Sequence, residues 1–175
     1  MDTKTKLIFA AETLFDRHGF TATGMDRLTQ AAGMSSRTLY KHAGSKTALI
    51  AAVLKERHRR FQQRLDVDNM EALFNELEEW VHTEGARGCL FLRAHGETGG
   101  DTAEITDVVL AHKATLYEKI QEIVFIETGS KRHSELSEQI LVLYEGATAA
   151  AVYRGAEAIA SARAAASALI QQARS

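Results

Sequence analysis

The chain has 175 residues, is 45% hydrophobic and 7% aromatic, contains Pro 0 and Cys 1, and carries a formal net charge of -2. That length accommodates one large or two small domains with a real core, and the abundance of alanine, leucine, glutamate and arginine without proline favours an all-α fold. No apolar run approaches the ~18 residues of a membrane span, acidic residues within the N-terminal apolar pattern argue against a secretory signal, and the single Cys89 allows no internal disulfide, so a cytoplasmic location is expected.

The first predicted helix runs from Thr3 to His18 and places Leu7, Ala11, Leu14, Phe15 and His18 on one stripe at helical spacing. Gly19 stops it, and Phe20 is expected to fold back into the same small core. Lys4 and Lys6 at its start suit either a phosphate or plain solvent. A short helix over Met25 to Ala32 follows, with Thr23 expected to cap its orphan backbone donors. Gly33 ends that helix in the left-handed backbone region. Ser35 caps the next, through Ser36, Arg37, Thr38, Leu39, Tyr40, Lys41 and His42. Met25, Leu28, Ala31, Met34 and Leu39 are the expected inward positions. The remaining side chains of the second short helix all donate hydrogen bonds, which suits an anionic partner rich in acceptors.

A helix, a glycine turn and a second helix led by donors meet the requirements of the helix-turn-helix motif. Ala31-Ala32-Gly33-Met34-Ser35, Thr38-Leu39-Tyr40, His42 and Ser45-Lys46 resemble the TetR family of bacterial transcriptional regulators. So does the lead-in of Ala10-Ala11, Leu14-Phe15, Gly19-Phe20 and Thr23, so that the resemblance covers roughly the first 50 positions. It implies an all-α chain of about nine helices, with a helix-turn-helix DNA-binding domain over residues 1–47 and an effector-binding and dimerisation domain over residues 48–175. It further implies a homodimeric repressor, released from a palindromic operator in double-stranded DNA by a small-molecule effector. Ser36, Arg37 and Thr38 lie in the first turn of the reading helix, where base edges are accessible, and Arg37 is the long bidentate donor among them. The family commonly has a small residue at the position of Arg37. Thr23, Tyr40, His42 and Lys46 match phosphate-contacting positions of the family and donate without carrying base information; Lys41 suits either task. Ala43-Gly44 departs from the pattern, because an aromatic residue usually stands there, which bears on how rigidly the reading helix is held.

Beyond the motif, Ser45 caps a helix from Lys46 to about Leu65, with Leu49, Ala52, Val53, Phe61 and Leu65 inward. Its basic run from Lys55 to Arg60 is expected to be a solvated face. In the family the corresponding helix joins the DNA-binding domain to the body, and its movement sets the separation of the two heads. Asp66 to Asn69 forms an acidic joint. Further helices are expected over Met70 to Glu84, Cys89 to Glu97, and from Asp101–Thr102 to about Glu127, the last with Ile105, Val108, Val109, His112, Leu116, Ile120, Ile123 and Val124 on one side. Gly99-Gly100 is expected to be flexible, and Thr128 to His133 to form a loop. The last two helices, Ser134 to Arg154 and Glu157 to Ala173, carry a stripe that passes from Leu136, Ile140, Leu143 and Ala147 into small residues: Gly146, Ala150, Ala151 and Gly155. Such faces allow close approach and a four-helix bundle between two copies, or simply raise helix propensity on an ordinary surface.

Residues 1–65 hold 12 Lys+Arg against 5 Asp+Glu, and residues 66–175 hold 9 against 18. A basic head on an acidic body fits a DNA-binding module joined to one that does not bind DNA. Leu77, Trp80, Phe91, His95, His112, Leu116, Tyr117 and Tyr144 are candidates for an effector lining, weighed against ordinary core packing for each. His82, His95 and His112 have no metal-ligand spacing, and neither a metal nor a cofactor is expected. Cys89 is read as a buried thiol, with oxidant sensing as the alternative. Two other classes compete with a regulator. One is an enzyme, for which no Ser-His-Asp arrangement or phosphate-cradling loop can be found; the other is a helical interaction or ligand-binding dimer that has lost tight DNA binding.

Overall fold

The computed structural model describes residues 2–129 and 134–174, and among the described residues nine helices and no strand occur. They are α1 (Thr3–His18), α2 (Met25–Ala32), α3 (Ser36–Ala43), α4 (Lys46–Arg64), α5 (Met70–Glu84), α6 (Leu90–Glu97), α7 (Ala103–Thr128), α8 (Ser134–Arg154) and α9 (Ala156–Ala173). The chain packs as two compact units, one formed by Met1–Arg60 with Leu90–His112, the other by Phe61–Cys89 with Lys113–Ser175.

The first unit is built on α1. Asp2 caps that helix by accepting the Thr5 N–H at 2.8 Å, and Gly19, at φ 84°, closes it with its own N–H on the Phe15 carbonyl. Leu7, Ala11 and Phe15 are buried, and the Phe15 and Phe20 rings meet at 4.8 Å between centroids. Burial of each such large side chain contributes about 1.5–3 kcal/mol. His18 leaves the expected stripe: it is exposed and meets Arg27 at 2.9 Å. In α2, Leu28 and Ala32 are buried and Ala31 is exposed, while Met25 and Met34 are half-buried. One position along a helix turns the side chain by ~100°, so centring the face on Leu28 selects its i+4 neighbour over its i+3.

The basic run of α4 departs most from expectation. Lys55 and Arg59 are exposed, but Arg57 is only 3% exposed, and His58 and Arg60 are half-buried. Their partner is Glu12, itself buried on α1, whose Oε1 accepts from Arg57 Nη1 at 2.8 Å and from Arg60 Nη2 at 2.6 Å. A guanidinium leaves water only where a carboxylate meets it, and Glu12 sits beside the buried Ala11 where it can do so. The short α6 fastens the end of α1. Arg93 Nη1 donates to the Asp16 carbonyl at 2.7 Å, and the Glu97 carboxylate accepts the Thr21 N–H at 2.7 Å.

The second unit holds α5, the later part of α7, α8 and α9. Leu73, Phe74, Leu77, Leu116, Ile120, Ile123, Ile140, Tyr144, Ile159 and Ile170 form its core. The stripe expected on α7 is buried at every position, in this unit from Leu116 onward and in the first at Ile105, Val108, Val109 and His112. Ala147 and Ala151 on α8 and Ala162 and Ala166 on α9 are buried, so small residues occupy the seam where these helices approach; Gly146 is exposed. Helix α9 starts at Ala156, directly after Gly155 at φ 64°. Of the expected loop over Thr128 to His133, Thr128 closes α7 and residues 130–133 lie outside the described residues. No described helix is long and apolar enough to cross a membrane.

Candidate nucleic-acid interface

The turn between α2 and α3 is fixed by backbone geometry. Gly33 takes φ 61° and ψ 43°, its N–H reaches the Gln30 carbonyl at 3.1 Å, and the Met34 N–H reaches the Thr29 carbonyl at 3.2 Å. Those bonds satisfy the last carbonyls of α2, and only glycine enters that region without strain. Ser35 then opens α3, its Oγ accepting the Thr38 N–H at 3.2 Å and lying 2.9 Å from the Thr38 hydroxyl.

Two apolar residues hold α3 down, Leu39 at 0% and Ala43 at 8% exposure. What remains outside is Ser36, Arg37, Lys41 and Tyr40, with Thr38 and His42 half-buried. The outer ridge therefore offers hydroxyl, guanidinium, ammonium and phenol groups from adjacent turns, a donor set that matches phosphate and base-edge acceptors. Where the family has a ring, Ala43 packs inward. Gly44, at φ 73°, closes α3 on the Tyr40 carbonyl, and Ser45 caps α4 by accepting the Ala48 N–H at 3.0 Å. Two consecutive caps thus define the turn without the aromatic anchor.

Thr23 is corrected on two counts. It is fully buried and its hydroxyl donates to the Gly19 carbonyl at 2.7 Å, so its side chain braces the α1–α2 link and is not presented to a phosphate. The residue at the start of α2 is Gly24, and no side chain caps that helix. Thr23 stands one position before the cap, where a β-branched side chain packs inward. Lys46 is half-buried, its Nζ 3.4 Å from the Thr21 carbonyl, beside the same link.

The eight effector candidates are divided between the two units. Leu77, Leu116 and Tyr144 belong to the core of the second unit, with Trp80 packed against it and edge-on to Phe61 at 5.8 Å. Burial raises the Tyr144 phenol far above its ordinary range. Tyr117 is half-buried, and its hydrogen bond with Glu138 raises its phenol as well. Phe91, His95 and His112 lie in the first unit, where Phe91 stacks flat on His112 at 3.6 Å, leaving no gap for a ligand between them. Two of the open grooves on the second unit are lined by other residues. One, of about 720 Å³, runs along Glu78, His82 and Ile159; the other, of about 650 Å³, lies between α8 and α9 along Val142, Leu143 and Leu169. Among the described residues, no three His, Cys, Asp or Glu side chains converge as a metal site. Cys89 is half-buried, with Lys113 Nζ 3.3 Å from its sulfur.

The sequence offered one signal for the buried Glu12–Arg57–Arg60 group: Glu12 and Asp16 each follow an inward residue of α1. A carboxylate so close to an apolar stripe requires a cation from elsewhere in the fold.

Residues 7–53 match the model of the bacterial regulatory proteins of the tetR family. Over 95–99% of its length the chain superimposes on solved structures. With SCO4454, a TetR-family transcriptional regulator from Streptomyces coelicolor, the TM-score is 0.90 at 21% identity, covering 99% of this chain and 96% of that one. With a tetR-type transcriptional regulator (sav143) from Streptomyces avermitilis it is 0.75 at 24% identity, covering 95% and 99%. With reduced NemR from E. coli it is 0.77 at 20% identity, covering 96% and 97%. At these identities the likeness establishes the fold. No curated protein sequence matches the chain.

Proposed function

We propose that this chain, whose residues 7–53 match the tetR family of bacterial regulatory proteins, is a homodimeric, sequence-specific repressor released from a palindromic operator by a small-molecule effector. What supports this most directly is the outer ridge of α3, where Ser36, Arg37, Tyr40 and Lys41 stand exposed above the buried Leu39 and Ala43. In this reading α3 enters the major groove. Arg37 takes the O6 and N7 of guanine, and Tyr40, His42 and Lys41 hold phosphates. Lys46 adds its charge beside the α1–α2 link, and the uncapped first turn of α2 directs backbone donors at the same strand.

Dimerisation is assigned to α8 and α9. Val142 is 68% and Tyr153 79% exposed, and the groove between these helices has apolar walls at Leu143 and Leu169. A two-fold dimer reads an approximate palindrome, with half-sites one helical turn or a multiple apart. An effector dissociates the complex only if it binds the DNA-incompetent conformation more tightly than the competent one.

Selection by the full chain from a random duplex library, followed by gel shifts at graded salt, tests the reading. An enriched near-palindrome bound in a salt-dependent way supports it, and absence of retention on any duplex at low ionic strength refutes it.

A further inference from the structure

Two imidazoles inside the first unit meet in an arrangement that the α3 ridge does not use. His58 stands on α4 and His112 on α7, with their Nδ1 atoms 3.2 Å apart and their rings edge to face at 80°. Phe91 of α6 covers His112, its ring within 4° of parallel at 3.6 Å. His112 is 5% exposed and His58 is half-buried.

Two Nδ1 atoms at this separation share one proton, one ring donating and the other accepting, so the neutral rings take opposite tautomers. A first additional proton must go to an outer Nε2 and places a charge in a poorly solvated pair. The next leaves two Nδ1–H groups pointing at each other, and the contact opens. We propose that His58 and His112 form a proton-operated latch, closed at neutral pH, that fastens α4 to α7 with Phe91 behind it and lets α4 go on acidification.

The charged groups of the neighbouring elements have partners of their own. On α4, Arg57 and Arg60 are engaged by Glu12 of α1, and Glu56 by Arg59. Asp16 is the other buried acid of α1, and from α6 Arg93 is turned to the Asp16 carbonyl. On α7, the residues between Asp107 and His112 are Val108, Val109, Leu110 and Ala111. Desolvation holds the His58 imidazole below its ordinary 6.5. The opened state therefore binds more protons than the closed one. The latch contributes fully above that pH and is lost as pH falls from there toward the depressed value.

The consequence for DNA rests on the function proposed above. A readout on α4 itself tests the latch apart from it: amide hydrogen exchange of the full chain at about pH 7.5 and about pH 5.5, corrected for intrinsic exchange, for wild type and His58→Gln. Wild-type protection across residues 55–61 is expected to fall about tenfold relative to α1, and the His58→Gln chain, which cannot take the proton, to change less than about twofold. Equal loss in both would overturn the latch, as would imidazole nitrogen spectra at neutral pH showing the same tautomer for both rings. His58→Asn provides a second non-titrating variant should His58→Gln fail to fold. Loss of DNA retention at neutral pH with the exchange response intact would sink the regulator and leave the latch standing.

Discussion

Replacing Glu12 by alanine removes the one carboxylate oxygen that both Arg57 and Arg60 reach, at 2.8 and 2.6 Å. The side chains of Arg57 and Glu12 are 4% and 8% exposed, so water cannot take over from the missing oxygen, and Arg60 at 19% is only partly relieved. Removing one member of such a buried pair costs about 3–5 kcal/mol. At ~2–4 °C per kcal/mol for a chain of this size, the melting temperature should drop by ~6–20 °C. Urea unfolding followed by circular dichroism gives the free energy directly, with an unchanged slope showing that the unfolded state is not what moved. Two further variants divide the cost. Glu12→Gln keeps an acceptor and should lose less than alanine, whereas Glu12→Met combined with Arg57→Met should cost well under the sum of the single changes. A loss below ~1 kcal/mol for Glu12→Ala, or strict additivity in that cycle, would show that the group is effectively solvated and that burial has been misjudged.

Other outcomes follow from the α3 ridge and the α8–α9 face. Arg37→Ala should relax selectivity at one base step by ~1–3 kcal/mol, measured on duplexes substituted one position at a time; unchanged affinity and preference would remove the base contact. Lys41→Ala should weaken all duplexes alike and reduce the slope of log affinity against log salt by about one. An unchanged slope would take Lys41 off the DNA. Ser35→Ala should cost ~0.5–2 kcal/mol of stability through loss of the Thr38 N–H bond, and a neutral result in the same urea titration would mean water caps α3 equally well. Val142→Arg should shift the protein toward the monomer in sedimentation equilibrium, and a dimer of unaltered strength would relocate the interface.

How far the fold could be read from the sequence depended on whether the deciding interaction was local. The α1 boundaries, the left-handed Gly33 and the Ser35 cap rest on groups within four residues of each other, and all three are present as expected. The long α7 was equally legible, since a stripe repeated over more than five turns averages out errors of phase. In the eight-residue α2 there is little to average, and Ala31 was preferred to Ala32. The buried state of Arg57 lay beyond local reasoning altogether: its partner is 45 residues away, and a basic run read alone resembles any solvated face. Thr23 failed for a related reason, because a hydroxyl just before a short helix can point forward as a cap or back to the preceding carbonyl, and here it reaches back to Gly19. The donor ridge of α3 was legible because a helix exposes what its two apolar anchors leave over. For the effector candidates, apolar helical spacing describes a core and a cavity wall equally well.

The stretch that carries the family signature ends at residue 53, yet several of the groups that hold it together come later in the chain. Arg57 and Arg60 neutralise Glu12, Arg93 occupies the Asp16 carbonyl, and Glu97 secures the Thr21 amide. Cut at residue 53, the head would keep its aromatic centre but lose the partners of Glu12, of the Asp16 carbonyl and of the Thr21 amide. Recombinant fragments and domain swaps that graft this head onto another body should therefore carry α4 to at least Arg60 and bring α6 with it.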